Sequence, residues 1–264
     1  MTVIVKVALR DVLEGALRWN LWMSLAWRGI RQRYARTIFG PFWLTLSSGI
    51  FVLAFGLIYS NLLNQDMHSY LPYITAGFLP WVLFSTLVTE SCTVFTAEKQ
   101  AIANWQFPYS IFVYRLLCRN LIIFFHNLLI FLIVSMIYGA APSWSMLWMP
   151  VGLVLLSLNG LWIALLLGTL CARFRDIQPL VLSVLQITMF VTPIFWRPEM
   201  LGTNRAVFVD GNFIYHMIAV IRNPLLGTPP STLSLTVCIT CAAVGIALAL
   251  VVYGRCRHRI PFWV

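Results

Sequence analysis

Six long apolar runs alternate with shorter polar segments along this chain of 264 residues. The runs contain no Lys, Arg, Asp or Glu, and they cover residues 38–63, 69–89, 121–138, 144–171, 177–196 and 231–253. A helix needs about 20 predominantly apolar residues to cross the hydrocarbon core of a bilayer. Each run therefore predicts one transmembrane helix, and together they predict an all-α membrane protein with six spans.

The cationic residues lie in every second gap between these runs. Of the 18 Lys and Arg residues, 15 precede the first run, lie between the second and third or the fourth and fifth runs, or follow the sixth. The other three lie between the fifth and sixth runs. Because cytoplasmic loops of membrane proteins carry the excess of Lys and Arg, this distribution predicts that both termini are cytoplasmic.

Composition agrees with a membrane protein. The chain is 60% apolar and 10% charged, with a mean hydropathy of +0.85, whereas a soluble domain carries about 25% charged residues. The net charge of +10 is spread along predicted membrane edges, which favours contact with anionic lipids over nucleic acid. We divide the chain into a cytoplasmic amphipathic interface helix with a basic anchor (1–36), a six-span domain (37–253) and a basic cytoplasmic tail (254–264).

The N-terminal segment has the pattern of an interfacial helix over residues 3–25. Lys6, Arg10, Glu14 and Arg18 recur every four residues, so they share one helix face, while leucines and tryptophans occupy the rest. A basic amphipathic helix of this kind suits the cytoplasmic membrane interface. The alternative is a soluble helix docked on a partner.

Four arginines stand directly before the first apolar run, at Arg28, Arg31, Arg33 and Arg36. A guanidinium group binds phosphate through two hydrogen bonds, so these residues are candidates for a phosphorylated lipid headgroup. The alternative is a purely topological anchor.

The chain lacks a nucleotide-binding loop and the usual sequence signatures of membrane proteases and esterases. Its two lysines, Lys6 and Lys99, are not preceded by the glycines of a nucleotide-binding loop, and neither H-E-x-x-H nor G-x-S-x-G occurs. Cys238 and Cys241 form a C-x-x-C inside an apolar run, where cysteine serves as a small apolar residue. We therefore assign no catalytic residues and no metal site, and we expect another protein to supply the energy.

Two segments between the runs are more than simple connections. On the cytoplasmic side, residues 96–102 predict a short helix that ends near Phe107 and Pro108; such a helix could hold a cytoplasmic subunit, or the segment could be an ordinary reversal loop. On the outer side, the apolar stretch 213–221 is too short to span. It predicts a re-entrant helix or one lying at the outer interface.

Several short motifs, in this order and on this topology, resemble one family of transporters. They are Arg33-Tyr34-Ala-Arg36-Thr-Ile-Phe-Gly40-Pro41-Phe-Trp43, Phe107-Pro108, Thr192-Pro193-Ile194-Phe195-Trp196 and Pro224-Leu-Leu-Gly227. The chain is similar to the permease subunits of type-2 ATP-binding-cassette exporters, in particular the branch that exports lipid-linked bacterial polysaccharide such as O-antigen. One departure is Asn212-Phe213, where the family has Asn-Pro, and it leaves the start of the second outer helix open.

The resemblance implies a homodimer in the bacterial inner membrane, with two copies of a separate ATPase that binds ATP and magnesium. It implies a coupling helix between spans two and three, short outer gate helices between spans five and six, and an undecaprenyl-diphosphate-linked glycan as substrate. It also favours lipid-diphosphate binding by the four arginines. The chain itself would hold no cofactor and would be no enzyme. The candidate coupling residues are Glu98, Lys99, Ile102, Trp105, Phe107 and Pro108.

Aromatic residues on the first span fit a glycan route. Trp43, Phe51, Phe55 and Tyr59 lie at four-residue intervals or multiples of four, and aromatic rings pack on the apolar faces of sugars. Packing against lipid or other helices explains the stripe equally well. Two other functions stay open, namely an ATP-binding-cassette permease for a small molecule or drug and an integral-membrane enzyme acting on lipid-linked sugars.

Overall fold

The computed structural model describes residues 2–34, 42–104, 107–138, 143–200 and 206–264, and within these ranges the chain is helical and has no β-strand. The helices are α1 (Thr2–Leu17), α2 (Trp19–Tyr34), α3 (Phe42–Leu62), α4 (Met67–Ser91), α5 (Lys99–Asn104), α6 (Ser110–Tyr138), α7 (Met149–Arg173), α8 (Ile177–Val191), α9 (Phe213–Leu225), α10 (Thr232–Cys256) and α11 (Ile260–Trp263). Short 3₁₀ turns at Thr96–Glu98, Trp144–Trp148 and Arg257–Arg259 precede α5, α7 and α11, and a π-helical turn at Ala206–Asp210 precedes α9.

Five helices in the described residues are long and apolar enough to cross a membrane, and they are built on α3, α4, α6, α7 and α10. The run 177–196 instead forms α8, which has 15 residues and ends at Val191. Thr192 is extended, with ψ at 137°, because the residue before a proline avoids the helical region. The all-α membrane fold is confirmed, but six crossing helices do not follow from length and composition alone.

The third membrane helix begins earlier than its apolar run. α6 starts at Ser110, eleven residues before the run that begins at Leu121. Its first turns therefore include Arg115 and Arg119, which pair with Glu98 and Glu90. Pairing and a position near the helix end let the charges lie beside an apolar bundle.

α4 is the central helix of the bundle, and α3 lies at its edge. The most apolar stretches of 18 residues in these two helices differ in burial. In α4, 78% of this stretch is buried, whereas in α3 only 17% is buried. α4 contacts α3, α6, α7, α8 and α9, while α10 packs along α7. Asn159 of α7 donates a hydrogen bond from Nδ2 to the Cys238 carbonyl of α10, at 3.1 Å. This satisfies a buried amide between two membrane helices.

The N-terminal segment forms two helices, so the expectation of one helix over residues 3–25 is wrong. The helix breaks at Arg18, which lies between α1 and α2. α1 packs on α6 and α10, and α2 runs beside α6. Gly15 allows the close approach of α1, because a Cβ at this position would collide with the Ser110 side chain.

The outer helix, α9, begins at Phe213, directly after its capping residue. The Asn212 side chain accepts hydrogen bonds from the backbone amides of Ile214 at 3.0 Å and Tyr215 at 3.2 Å, so it caps a helix that starts at Phe213. Residues 217–221 are completely buried, which favours the re-entrant arrangement. Past the end of α9, Gly227 has a φ of +86°, a conformation that favours glycine.

Candidate functional site

Asp11 holds the connection into α6 against the N-terminal and C-terminal segments. Its carboxylate accepts hydrogen bonds from the backbone amides of Tyr109 (3.2 Å) and Ser110 (3.1 Å), from the Tyr253 hydroxyl (2.9 Å) and from Arg257 Nε (2.6 Å). The Asp11 side chain is 1% exposed. Burial raises the pKa of the Tyr109 phenol, and the Asp11 carboxylate adds to this effect against the opposing charge of Arg257. One acidic residue thus caps α6 from another helix and joins α1, α6 and α10.

Two further ion pairs bind α6, one to Glu98 in the segment between α4 and α6 and one to Glu90 at the end of α4. Arg115 donates to Glu98 and Arg119 donates to Glu90, both at 2.6 Å. Asn120 donates a second hydrogen bond to Glu90, at 2.7 Å. All four charged side chains are about one fifth exposed. We call the part of the molecule formed by α1, α2, residues 90–104, residues 107–120 and residues 253–259 the coupling end.

The surface of α5 that is open to another protein is small and polar. Lys99, Gln100, Ala103 and Asn104 are exposed. Glu98, in contrast, is bound to Arg115. A docked subunit would therefore meet the polar side of α5, while the other side is held by this chain.

The other candidate coupling residues that the structure describes are less accessible than a docking surface requires. Ile102 is 5% exposed and belongs to the core of this chain. Its side chain therefore packs α5 against the rest of the molecule and is not available to a docked protein. Phe107 lies under the guanidinium of Arg18, whose Cζ is 5.5 Å from the ring centroid, and Pro108 is buried. Trp105 lies outside the described residues.

The structure describes the side chains of only two of the four candidate phosphate-binding arginines. Arg28 and Arg31 are exposed on α2. The Arg33 side chain and the whole of Arg36 lie outside the described part. A polar cavity of about 460 Å³ does open between α2, residues 90–98 and α6, but its two arginines are already paired with carboxylates.

Three of the four candidate glycan-route aromatics form a continuous stack. The rings of Phe51 and Phe55 are 4.1 Å apart and those of Phe55 and Tyr59 are 5.6 Å apart. Phe78 of α4 stacks on Phe51 at 4.4 Å, and Phe195, beyond α8, stacks on Phe55 at 5.0 Å. We call these five residues the aromatic ladder. Trp43 is 53% exposed at the start of α3.

At the opposite end of the bundle, hydroxyl groups of α4 bind the backbone beyond α8. Tyr70 donates to the Phe195 carbonyl, and Tyr73 donates to the Trp196 carbonyl at 3.1 Å. Arg222 of α9 donates to the Tyr73 hydroxyl at 3.1 Å and to the Pro193 carbonyl at 2.6 Å. The outer end is the start of α4, residues 192–200 and α9, and Arg222 connects all three.

Comparisons with known proteins agree with this architecture. Residues 20–226 match the family model described as ABC-2 type transporter. The chain belongs to this family. An O-antigen export system permease protein RfbA of Myxococcus xanthus is 26% identical to this ABC-2 permease over 177 residues, 67% of the chain and 68% of the relative. A protein of the same name from Klebsiella pneumoniae is 23% identical over 195 residues, 72% of the chain and 74% of the relative.

Sequence reasoning missed three residues that organise this permease, namely Asp11, Phe195 and Arg222. Asp11 stands in a charged pattern typical of a solvated helix face, and nothing local indicates its distant donors. Phe195 lies in the motif Thr192–Trp196, and nothing in the sequence assigns it a role. Arg222 is a cation in an otherwise apolar stretch of α9, and such a residue is a functional candidate by default in a membrane protein.

Proposed function

We propose that this ABC-2 permease is the channel subunit of an exporter that moves a lipid-linked polysaccharide, such as undecaprenyl-diphosphate-linked O-antigen, across the bacterial inner membrane. It would act as a homodimer with two copies of a separate ATPase. The observation that carries the proposal is the coupling end. There the exposed helix α5 directly follows Glu98, which pairs with Arg115 of α6, and α6 is paired in turn with α4 through Arg119 and Glu90. The two compared relatives named as O-antigen export permeases favour this cargo.

Energy would enter through α5. A docked ATPase would contact Lys99 and the neighbouring exposed side chains, with Trp105 as a further anchor, since aromatic residues are enriched among the strongest contributors to interfaces. Displacement of α5 would act on α6 through the Glu98–Arg115 pair, and from α6 on α4 through the Glu90–Arg119 pair.

The topology would be six spans with both termini cytoplasmic. Asp11 near the start and Arg257 near the end of the chain form an ion pair, so the two terminal segments meet at one end of the bundle. An even number of crossings produces this arrangement. We therefore infer that α8, extended by residues 192–196, makes the fifth crossing.

The homodimer would form along helices that this chain leaves open. α3 and α8 expose large apolar side chains, among them Leu53, Leu57, Val184 and Ile187. Contiguous apolar surface of this kind marks contact with lipid or protein. With the aromatic ladder beside this face, the glycan would pass along Phe51, Phe55 and Tyr59, with Trp43 at the cytoplasmic entrance and α9 as an outer gate helix.

The lipid diphosphate would approach from the cytoplasm along α2. Arg28 and Arg31 present exposed guanidinium groups there, and Arg33 and Arg36 follow in the sequence. The remaining two side chains would complete the binding site at the entry to α3.

The export function is tested in a strain that lacks the gene for this permease and has lost its surface polysaccharide. Expression of the wild-type chain should restore the polysaccharide on the outer surface, and the ATPase should co-purify with it. Absence of restored polysaccharide, with the chain inserted and bound to its ATPase, would show that the cargo is something else.

The coupling contact is tested with the two lysines of the chain. Lys99→Glu should release the ATPase or uncouple ATP hydrolysis from export, because it reverses the charge on the exposed side of α5. Lys6→Glu makes the same change on α1 and should export normally. If Lys6→Glu is the variant that loses the ATPase, the contact lies on α1 instead.

A further inference from the structure

A polar cavity of about 350 Å³ lies at the outer end, between the start of α4, the segment beyond α8, α9 and the start of α10. Its volume is within the range of about 300–1,000 Å³ that small-ligand sites have. The polar side chains that line it are Tyr73, Glu199, Asp210, Tyr215, His216, Arg222, Asn223, Ser231 and Ser234.

Arg222 supplies a buried donor to this cavity. The residue is 2% exposed, and its guanidinium lies over the rings of Tyr73 and Tyr215, with Cζ 5.0 and 5.2 Å from the centroids. Nη1 donates to Tyr73 and to the Pro193 carbonyl. Nε has no acceptor within the part of the chain that the structure describes. Nε is closed off from solvent, so a ligand in the cavity would bind Nη2, which makes no hydrogen bond with another described residue. An oxygen acceptor at this position would offset part of the cost of burying the guanidinium.

Acceptors line the same cavity. Glu199 and Asp210 are exposed, and neither carboxylate makes a hydrogen bond or ion pair with another described residue. Ser234 joins this wall through hydrogen bonds with His216 at 2.9 Å and Ser231 at 2.8 Å. The cavity therefore combines one guanidinium donor with two carboxylate acceptors and a group of hydroxyls.

The charges and hydroxyls that line the cavity favour one class of ligand over the others. A phosphate or carboxylate would meet two acidic side chains for one guanidinium, and like charges repel. A metal ion would meet the guanidinium, and no group of three His, Cys, Asp or Glu side chains suited to a metal occurs in the described residues. A sugar ring fits, because each hydroxyl both donates and accepts hydrogen bonds.

We propose that the outer cavity is a binding site for a sugar ring, with Glu199 and Asp210 accepting from sugar hydroxyls and Arg222 donating to a sugar oxygen. The identity of the sugar as part of the exported glycan rests on the proposed function. A site at this position would hold the leading sugars after they pass the aromatic ladder and before they leave the outer end.

The test measures sugar binding directly and does not depend on transport. The full chain is placed in lipid nanodiscs, and the probe is the short oligosaccharides released by mild acid from the surface polysaccharide of the bacterium that carries this permease. Saturation-transfer NMR and titration should give a Kd for the wild type. The double variant Glu199→Gln, Asp210→Asn should raise that Kd about tenfold, because two charged acceptors are lost.

Asp66→Asn is the matched control. Asp66 is an exposed carboxylate at the start of α4 that does not line the cavity, so the variant should bind like the wild type. Inorganic diphosphate is the second probe and should not displace the oligosaccharide. An equal Kd for the double variant, or binding of diphosphate but not oligosaccharide, would overturn the sugar site.

Export is followed in parallel so that the two proposals can fail separately. If the wild type binds the oligosaccharide and the double variant loses this affinity, the sugar site stands even where the deletion strain does not regain its polysaccharide. If the wild type restores export but binds no oligosaccharide, the sugar site is wrong and the export function stands.

Discussion

The two ends of the bundle hold their arginines in different ways. At the coupling end, Arg257, Arg115 and Arg119 each meet a carboxylate at 2.6 Å. At the outer end, Arg222 and Arg197 meet hydroxyls, a carbonyl and the ring of Tyr73, and neither has a carboxylate partner in the described residues.

This difference separates a fixed end from an exchangeable one. Breaking the pair of the buried Asp11 carboxylate would be strongly unfavourable, and the two partly exposed pairs add smaller contributions. The coupling end should therefore move as a unit. The hydrogen bonds of Arg222 and Arg197 go to uncharged hydroxyls and a carbonyl, so another oxygen atom can replace these acceptors without leaving an unpaired negative charge. The segment beyond α8 should therefore open more readily than the coupling end.

The largest effect is expected from Asp11→Ala. The substitution leaves two backbone amides, the Tyr253 hydroxyl and the Arg257 guanidinium without their acceptor. We expect a loss of about 3 kcal/mol of stability, at the lower end for a broken buried pair, since Arg257 is 32% exposed and can regain water. The midpoint of thermal unfolding of the purified protein measures this loss.

Glu14→Ala is the control for Asp11. It removes a carboxylate of the same helix whose partner, Arg10, is exposed, and the melting temperature should stay unchanged. Equal melting temperatures for the Asp11 variant and the wild type would show that the coupling end is not held by this residue.

A smaller and local effect is expected from Arg222→Met. Two hydrogen bonds are lost, but the cost of burying a guanidinium is lost with them, so stability should fall by only about 1 kcal/mol. Hydrogen exchange should speed up in residues 193–196 and in α9. Exchange that rises equally in α1 and the start of α6 would contradict the separation of the two ends.

The smallest effect is expected from the Glu98–Arg115 pair. A double-mutant cycle with Glu98→Gln and Arg115→Gln should give a coupling energy of about 0.5–1 kcal/mol, because both side chains are partly solvated. High salt should reduce this value. A coupling energy near zero at low salt would mean that the pair does not contribute to the fixed end.

Much of the membrane fold could be predicted from the sequence. Apolar length predicts the helices at 69–89, 144–171 and 231–253, since burying backbone polar groups in a bilayer requires internal hydrogen bonding. The N-terminal segment shows where this approach stops. Its residues predict helix, but the break at Arg18 comes with the packing of α1 on α6 and α10, which no local pattern encodes.

The candidate site divides in the same way. Four-residue spacing on α3 is enough to place Phe51, Phe55 and Tyr59 on one face, because the period of a helix is local. Phe195 lies more than 130 residues further along the chain, and only the path beyond α8 brings it to this face. Ile102 shows the opposite case. An apolar residue in a polar loop suggests a docking contact, but the tertiary structure buries this one in the core of the chain.

The sequence by itself determined the helical class and the apolar runs, and its charges predict the side of the membrane for each end, because length, hydropathy and charge excess act on each segment separately. Only the tertiary structure decided which charges are paired. Asp11 lies 246 residues from Arg257, and Arg222 lies 149 residues from Tyr73. Electrostatic and hydrogen-bond energies depend on distance in space, so partners this far apart in the chain appear only once the bundle has formed.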